Sequence, residues 1–578
     1  MKKSTKAFSL LMSSLLLCGS MAACGVGGGG SAIVNDEKTI NIKCRRAGFG
    51  TDWLYELKGQ FETAFAEEGY KVNILTPDNS LNNDILIKEL ALGYNATKID
   101  LYISSGATPD KVGEKGDYGV LVEDIGECVY NQPAIAYDGT EEDKKIIDKV
   151  APDVLPYMTD SLGNVYAYNW AQTSGGLVIN TRKLANYELE IPKTTNEMFE
   201  CFDVIYCGDE AKGIEGSVES GTYPITYVSG GNGYALCFLY TLIAQYDIDV
   251  FNKFWSFQTS DANGAIVNLT DEECFKLYED PAIYEMMKVA YRAFDVTLSA
   301  PGSTAQGVDQ AQAKIMGNVD DAVFMFNGDW MLNEVKLNYR NKLKDIDFCN
   351  FPVVSALGVK LFGEGTAYNM NETECDDLLS YVIGLVDKNM DVEDMIADVQ
   401  TNKGITLAEE DVREVARARG VSYSRGVEHV AYVTKGTTKK DIVSLFLRMM
   451  SSNDYGETFT RVANGTGPYY AQVNTLTEYD FVYHASLIPA NQYFSLVSLS
   501  GGARGYRKDL NFLQMFSTAS HVPDHISSTS TVSIYSQKGG YKKDYDVNVY
   551  AAEAEKFLKS ELANVKKNWA TAKENAGY

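Results

Sequence analysis

The pattern of apolar and polar residues changes repeatedly between strand-like and helix-like stretches from residue 38 onward. Residues 38–44 alternate with period two, as a half-buried strand does, and residues 52–68 carry apolar side chains at helical spacing. A strand at 70–75, a helix at 82–92 and a strand at 99–104 continue the series. This β-α-β-α-β order predicts a parallel sheet covered by helices.

A second α/β series begins near Gly176. Its predicted strands are 177–180, 322–326 and 346–351. Four of its predicted helices are 235–245, 280–294, 440–450 and 551–573. Two more begin at capping boxes, one at Thr194 and one at Thr406. Two successive series of this kind predict an α/β chain with more than one core.

The carboxyl ends of the first three predicted strands lead into loops 45–52, 76–79 and 104–110. Ligands of parallel sheets bind beyond the carboxyl ends of the strands. We therefore expect side chains of these loops to lie near a binding site.

The first thirty residues have the pattern of an export signal. Lysines in the first six residues precede an apolar run at 7–17, which is too short to span a bilayer. The small residues of 20–23 lead to Cys24, and a glycine-rich stretch follows at 25–31. The segment resembles a bacterial lipobox, whose cysteine is acylated and becomes the new N-terminus. The alternative is a plain secreted protein with an incidental cysteine.

Charge and composition narrow the class of ligand. The formal net charge of -26 argues against nucleic acid or an anionic membrane surface as a partner. The 37 tyrosines against four histidines suit recognition of neutral polar ligands by stacking and hydrogen bonding. His521 and His525 are separated by a proline in a polar stretch without further clustered ligands, so we expect no metal there.

Several segments occur together in one order. They are 48–54, 175–184, 191–194, 322–330, 347–352, 431–468 and 567–577. In order and spacing they resemble extracellular solute-binding protein family 1, the carbohydrate-binding receptors of ABC importers, of which maltose-binding protein is a member. Ile179 replaces a usual tyrosine, and the stretch 358–427 is longer than the resemblance predicts.

The resemblance implies a two-lobed, periplasmic-binding-protein-like (type II) α/β fold with a hinge and a ligand cleft between the lobes. The implied divisions are a signal peptide at 1–23, a lipidated Cys24 with its tether to 37, lobe 1 at 38–172 with approximately 366–470, and lobe 2 at 173–365 with approximately 471–578. Such a receptor closes around its ligand. We expect a monomer that has no cofactor and performs no catalysis. Lipid would hold it on the extracytoplasmic face of the cell membrane, where it would deliver a sugar or oligosaccharide to ABC permease subunits.

Trp330 is the first candidate for ligand contact, because the tryptophan of this loop stacks on a sugar ring in the family that the segment resembles. Asp329 and Asn327 beside it can exchange hydrogen bonds with hydroxyl groups. Packing of Trp330 in a core, and capping of the next helix by Asp329, are the alternatives.

Two further groups of residues complete the expected site. Tyr168, Trp170 and Gln172 precede the crossing from one lobe to the other, where hinge packing is the alternative role. The remaining candidates are Tyr234 after a glycine-rich loop, and Asp52 and Trp53 at the first carboxyl-end loop. Capping and core packing are alternatives for Asp52 and Trp53, and a solvated turn is the alternative for Tyr234.

Other functions stay open at this point. A receptor for a polyamine would need converging carboxylates, and one for a phosphonate or another anion would need arginines or helix N-termini. A peptide receptor is also open. The candidate loops are rich in Trp, Tyr, Asn and Gln, which favours neutral glycans. A lipid-anchored glycoside hydrolase, with two carboxylates flanking the glycosidic bond, and a sensory lipoprotein are the remaining alternatives.

Overall fold

Two β-sheets, each covered by helices, form the framework of the protein in a computed structural model. The structure describes residues 32–46, 48–78, 80–104, 109–114, 116–150, 154–160, 162–171, 173–228, 234–317, 321–335, 338–339, 341–423, 429–463, 484, 488, 491–497 and 548–575. The predicted α/β class is confirmed, and we call each sheet with its helices a lobe.

The strands are numbered in chain order. They are β1 (Thr39–Cys44), β2 (Lys71–Ile74), β3 (Leu101–Ile103), β4 (Pro133–Ile135), β5 (Glu141–Lys145), β6 (Tyr168–Asn169), β7 (Gly175–Asn180), β8 (Thr222–Thr226), β9 (Gln258–Ser260), β10 (Ile266–Asn268), β11 (Asp321–Gly328), β12 (Ile346–Cys349), β13 (Val421–Tyr423), β14 (Val430–Val433) and β15 (Ser495–Val497).

The helices follow the same convention. They are α1 (Asp52–Ala64), α2 (Asn83–Leu92), α3 (Tyr94–Thr97), α4 (Pro109–Val112), α5 (Leu155–Met158), α6 (Thr181–Asn186), α7 (Thr195–Cys207), α8 (Ser217–Ser220), α9 (Tyr234–Tyr246), α10 (Ile248–Ser256), α11 (Asp271–Lys276), α12 (Pro281–Ala293), α13 (Val308–Ile315), α14 (Met331–Val335), α15 (Ala356–Phe362), α16 (Glu372–Asp387), α17 (Val392–Lys403), α18 (Glu409–Gly420), α19 (Lys440–Met449), α20 (Asn453–Ala463) and α21 (Asn548–Asn575). None of these described helices combines the length and apolar character that crossing a membrane requires.

The first sheet has the strand order β2-β1-β3-β14-β6. Strands β1, β2 and β3 are parallel, as predicted, whereas β14 runs antiparallel to both of its neighbours. Alternate side chains of β3 enter different apolar clusters. Leu101 and Ile103 pack with the residues of α1, and Tyr102 packs with those of α2. Because side chains alternate across a strand, α1 and α2 cover opposite faces of the sheet.

The second sheet has the order β12-β7-β11-β8 and forms the centre of the second lobe. All six residues of β7 are buried, so helices or loops cover both faces of the sheet. The capping box that the sequence predicts at Thr194 is present, with Glu197 as its partner, and it opens α7. Helix α21 packs on α12, and its Tyr550 hydroxyl donates a 2.6 Å hydrogen bond to buried Asp295.

Helices α15 to α18 pack on the second lobe. Arg417 donates to the carbonyls of Ala244 and Gln245 at the end of α9, both at 2.7 Å. The buried Arg419 donates to the carbonyl of Phe351, just after β12, at 3.3 Å, and forms two further hydrogen bonds with Asp387 of α16. The sequence assigned residues from about 366 to lobe 1, but these contacts join the stretch up to residue 420 to the second lobe.

The second capping box does not form. Helix α18 starts after Ala408, which has no side-chain acceptor, and the Thr406 hydroxyl donates instead to Gln400 at the end of α17. The acidic first turn of α18 still favours its N-terminus electrostatically.

Two segments that cross between the lobes are bonded to each other. The chain leaves the first sheet after β6, enters the second at β7, and returns before β14. The carbonyl of His429, just before β14, accepts hydrogen bonds from the Trp170 backbone at 3.0 Å and from the Asn169 side chain at 3.1 Å. This junction joins the two crossing segments at the edge of the first sheet, where one leaves it and the other returns to it.

The residues that precede β1 are held on the first lobe. Val34 and Asn41 form a pair of hydrogen bonds, at 3.0 and 2.9 Å. The Asn73 side chain donates to the Ala32 carbonyl at 2.9 Å. The chain is therefore attached to the first sheet before its first strand begins.

A buried carboxylate ties three parts of the first lobe together. Asp100 has no exposed surface; it accepts from the Asn41 backbone at 2.8 Å and from the Thr437 hydroxyl at 2.5 Å. Lys439 lies 3.3 Å from the same carboxylate and also donates to the Thr39 carbonyl. The pair therefore joins β1, β3 and the start of α19.

Replacing Lys439 with Met should destabilise the first lobe by about 3 kcal/mol, because Asp100 would stay buried without its cation. Chemical denaturation followed by circular dichroism measures this loss. Arg413→Met is the control, since the Arg413–Glu409 pair is exposed, at 61% and 58%, and should contribute less than about 1 kcal/mol. Equal losses in the two variants would contradict the role given to the buried pair.

Candidate ligand-binding site

Trp330 lies where the two lobes meet. Its ring folds back over Gly328 at the end of β11, and a Cβ atom on Gly328 would lie 2.0 Å from Trp330 Cζ3, so only glycine fits there. Gly48, in the loop between β1 and α1, faces the other end of the Trp330 side chain. A Cβ atom added to Gly48 would lie 3.7 Å from Trp330 Cβ. Trp330 thus extends from the second lobe into the apolar cluster of the first, and is 8% exposed.

The first lobe presents a group of packed aromatic rings at this boundary. Trp53 and Trp170 are stacked, with centroids 5.2 Å apart and planes 15° apart. Phe49 stands edge-on to Trp170 at 6.0 Å and to the His429 ring at 5.6 Å. Trp170 donates from Nε1 to the Ser104 carbonyl at 2.8 Å, which fixes its ring at the carboxyl end of β3.

Glu334 lies one helical turn after Trp330, and its carboxyl is enclosed between the lobes. It accepts from Gln312 Nε2 at 2.5 Å and from the Tyr234 hydroxyl at 3.3 Å. A Cβ atom added to Gly48 would lie 3.7 Å from Glu334 Oε1. Removal from water raises the pKa of Glu334 to about 7, and nearby Asp309 adds to this rise, whereas the two hydrogen bonds oppose it.

Helix α14 also touches the first lobe through its third residue. The Asn333 side chain donates to the carbonyl of Ala463, the last residue of α20. Together with the contact between Gly48 and Glu334, this bond gives the short helix two separate attachments to the first lobe.

The structure brings two of the predicted residues together directly. The rings of Tyr234 and Trp330 lie 5.4 Å apart, and the phenol and indole face the same boundary. Asn327 and Asp329 are fully buried next to Trp330. The Asn327 side chain accepts from the Gly328 backbone at 2.8 Å, and the Asp329 backbone donates to the Ser174 carbonyl.

The other predicted residues have different surroundings. Trp53, Tyr168 and Trp170 have no exposed surface, and the Tyr168 hydroxyl bonds to Ser451 at 2.9 Å, so these rings form the base beneath the boundary. Asp52 is exposed in the first turn of α1. Gln172 and Cys24, and with them His521 and His525, lie outside the described residues.

Sequence reasoning missed four residues of this boundary. Phe49 stands between two glycines in a loop already expected near the site, and Glu334 follows Trp330 at the helical spacing of four; these were available signals. Gln312 and His429 gave no signal, because only the packing of distant segments brings them here.

Comparison with known proteins gives a distant likeness. No protein-family model matches the sequence. No curated protein matches it. Among solved structures, a chitin oligosaccharide binding protein is similar at 13% identity and a TM-score of 0.49, over 91% of this chain and 100% of that one.

Two further solved structures are similar to a comparable degree. The apo form of RafE from Streptococcus pneumoniae has 14% identity and a TM-score of 0.49, over 93% of this chain and 100% of that one. The maltotriose binding protein of Thermus thermophilus has 13% identity and a TM-score of 0.45, over 91% and 100%. At such identities and TM-scores, the ligand of this chain has to be inferred from its own residues.

The chemistry of the boundary suits a neutral polar molecule. Aromatic faces pack on apolar ring surfaces, while amides and a carboxyl exchange hydrogen bonds with hydroxyl groups. A carboxyl with a pKa of about 7 is protonated in a large fraction of molecules near neutrality, so Glu334 can both donate and accept.

The raised pKa of Glu334 predicts a pH-dependent difference between the wild type and Glu334→Gln. The folded state retains the proton to about pH 7, whereas an unfolded glutamate loses it near 4.5. Relative to the variant, the wild type should therefore lose about 2 to 3 kcal/mol of stability as the pH rises from 4.5 to 7, and no more above that.

Urea denaturation of both proteins across this pH window measures the difference. In Tyr234→Phe the loss should extend to higher pH, because the hydroxyl that lowers the pKa of Glu334 is gone. A difference between the wild type and Glu334→Gln that stays constant from pH 4.5 to 7 would contradict the enclosed carboxyl.

Proposed function

We propose that the protein is the solute-binding receptor of an ABC importer, which captures a sugar or oligosaccharide between its two lobes and passes it to the permease. The observation that supports this most is Trp330. An aromatic side chain from the second lobe enters the apolar cluster of the first, beside Tyr234 and the enclosed carboxyl of Glu334. A pyranose ring needs the same combination of an apolar face and surrounding hydrogen-bond partners.

Capture would proceed by closure of the lobes and involve no catalysis. Each lobe has its own sheet and core, and bonded crossing segments join them at His429. A ligand that contacts both lobes lowers the free energy of the closed state relative to the open one. The closed receptor is the form that the permease would recognise.

Trp330 and Tyr234 are the residues that we expect to contact the ligand first. Asn327 and Asp329 would exchange hydrogen bonds with the ligand once the lobes have separated and the ligand has entered between them. Trp53, Tyr168 and Trp170 hold the base of the site in position, and Gln172 and Asp52 complete the proposed set.

The sequence supports membership of solute-binding protein family 1 and attachment to the membrane. Its leader would be removed before Cys24, and acyl chains on this cysteine would hold the receptor on the extracytoplasmic face of the membrane. Two acyl chains give stable anchoring, since each buried methylene contributes about 0.8 kcal/mol.

Trp330→Leu should weaken glycan binding at least about tenfold, because the ring that stacks on the sugar is lost. Isothermal titration calorimetry of protein lacking residues 1–31, against a panel of oligosaccharides, measures the affinity. Trp569→Leu is a matched control, since Trp569 is equally buried but packs on Phe257 and Phe275 in the second lobe.

Each outcome of this titration bears on the proposal. Binding that is lost in Trp330→Leu and retained in Trp569→Leu supports both the receptor function and its site. Binding of a polyamine or peptide in place of glycans would show that the solute class is wrong. Cleavage of a bound glycan, detected by chromatography of the titrated mixture, would exclude a receptor without catalysis.

Cys24→Ala should release the protein from the membrane, because the residue that carries the acyl chains is gone. Fractionation of expressing bacteria, with metabolic labelling by a radioactive fatty acid, measures attachment. We expect label in the wild type and none in the variant. Cys207→Ala, at an exposed cysteine of the folded body, should keep both label and attachment. A labelled Cys24→Ala protein would contradict the assignment.

A further inference from the structure

A groove on the first lobe lies apart from the Trp330 boundary and has a cavity volume of about 410 Å³. Asp84, Ile87 and Lys88 form one wall, and their spacing places them on one side of α2. The other wall is formed by Asp110 and Lys111 of α4 together with Gly116, Asp117 and Tyr118. This volume lies within the range of small-molecule sites and suits a ligand of one or two rings.

The second wall is held in place by a turn with a strict need for glycine. The Gly116 backbone donates to the Gly113 carbonyl at 3.1 Å, and Gly119 donates to Gly116 at 3.0 Å. A Cβ atom on Gly116 would lie 2.2 Å from the Lys111 carbonyl oxygen, so the turn packs directly on α4. Tyr118 follows this fixed turn and exposes 58% of its surface at the groove.

The lining of the groove combines charged side chains of both signs with apolar surface. Lys88 and Lys111 form no ion pair in the part of the chain that the structure describes, and neither do Asp84 and Asp117. Both donors and acceptors are therefore available for hydroxyl groups. Asp110 also lines the groove, which therefore carries three carboxylates and two lysines. The ring of Tyr118 and the side chain of Ile87 supply apolar surface for the face of a sugar ring.

Ser104 connects this groove with the aromatic base of the proposed site. Its carbonyl accepts from Trp170 Nε1 at 2.8 Å, and its hydroxyl donates to the Leu81 carbonyl, just before α2, at 3.2 Å. Trp170 belongs to the α1 face of the first sheet, whereas the groove lies on the α2 face. Both lie toward the carboxyl end of β3, the end of a parallel sheet at which ligands bind.

We propose that the groove formed by α2, α4 and residues 116–118 binds an outer ring of the ligand, which is therefore an oligosaccharide and not a monosaccharide. This inference rests on the proposed function, since it extends the same ligand beyond the lobe boundary. Stacking on Tyr118 and hydrogen bonds to Asp117 and Lys111 would supply the added affinity of the longer ligand.

Calorimetry with ligands of graded length tests the inference. The probes are linear oligomers of glucose, xylose and N-acetylglucosamine, from the monosaccharide to the hexasaccharide, titrated into protein lacking residues 1–31. Tyr118→Ala and Asp117→Asn change exposed side chains, so both variants should fold. Tyr55→Ala is the matched control, an exposed tyrosine (48%) on α1, away from the groove.

In the wild type we expect affinity to rise with the number of sugar units until the groove is filled. Tyr118→Ala should weaken the longest bound oligomers about fivefold and leave the shortest bound oligomer unchanged. Asp117→Asn should act in the same direction, and Tyr55→Ala should bind every length like the wild type.

Two failures can be told apart. If the wild type binds some oligomers but both groove variants bind all lengths as tightly as the wild type does, the groove inference is wrong and the receptor function stands. If the wild type binds none of the oligomers, the proposed function and the groove inference both fail. Equal weakening of short and long oligomers by Tyr118→Ala would also overturn the groove as an outer subsite.

Discussion

The carbonyl of His429 is the point on which the arrangement of the two lobes depends. It accepts hydrogen bonds from the backbone of Trp170 and the side chain of Asn169, so one acceptor joins the outgoing and returning chains. Apart from this junction, the β13–β15 pair and the contacts of Trp330 and Asn333, each lobe has its own sheet and its own buried residues. In the proposed closure, such a junction would serve as the pivot, and the contacts at the lobe boundary would set the separation of the far edges.

Those boundary contacts oppose one another in energy. Burial of Trp330 in the first lobe favours contact, because apolar surface leaves water. Enclosure of Glu334 disfavours contact whenever its carboxyl is charged, as the rise of its pKa to about 7 indicates. In the proposed receptor, a ligand that contacts both lobes would add to the first of these terms and favour the closed state by its differential affinity.

Much of the fold could be predicted from the sequence because local patterns carry it. The parallel strands β1 to β3 follow from periodicity, and the capping box at Thr194 follows from one residue pair. The attachment of α16 to α18 to the second lobe could not be predicted, because an apolar helix face suits either core. The contacts of Arg417 with Ala244 and of Arg419 with Phe351 decide it. Trp330 and Tyr234 were found by their surroundings in sequence, whereas Gln312 reaches Glu334 only through the packing of α13.

Hydrogen bonds hold residues 32–34 on the first sheet, so an anchor at Cys24 would be attached directly to the first lobe. With an anchor at Cys24, the few residues before Ala32 could extend no more than about 3.5 Å each. The first lobe would then stay within roughly 30 Å of the bilayer. The second lobe, with its added helices and α21, would rotate about the His429 junction relative to the first lobe. Ligand would be taken up against the part of the receptor that is already positioned over the membrane.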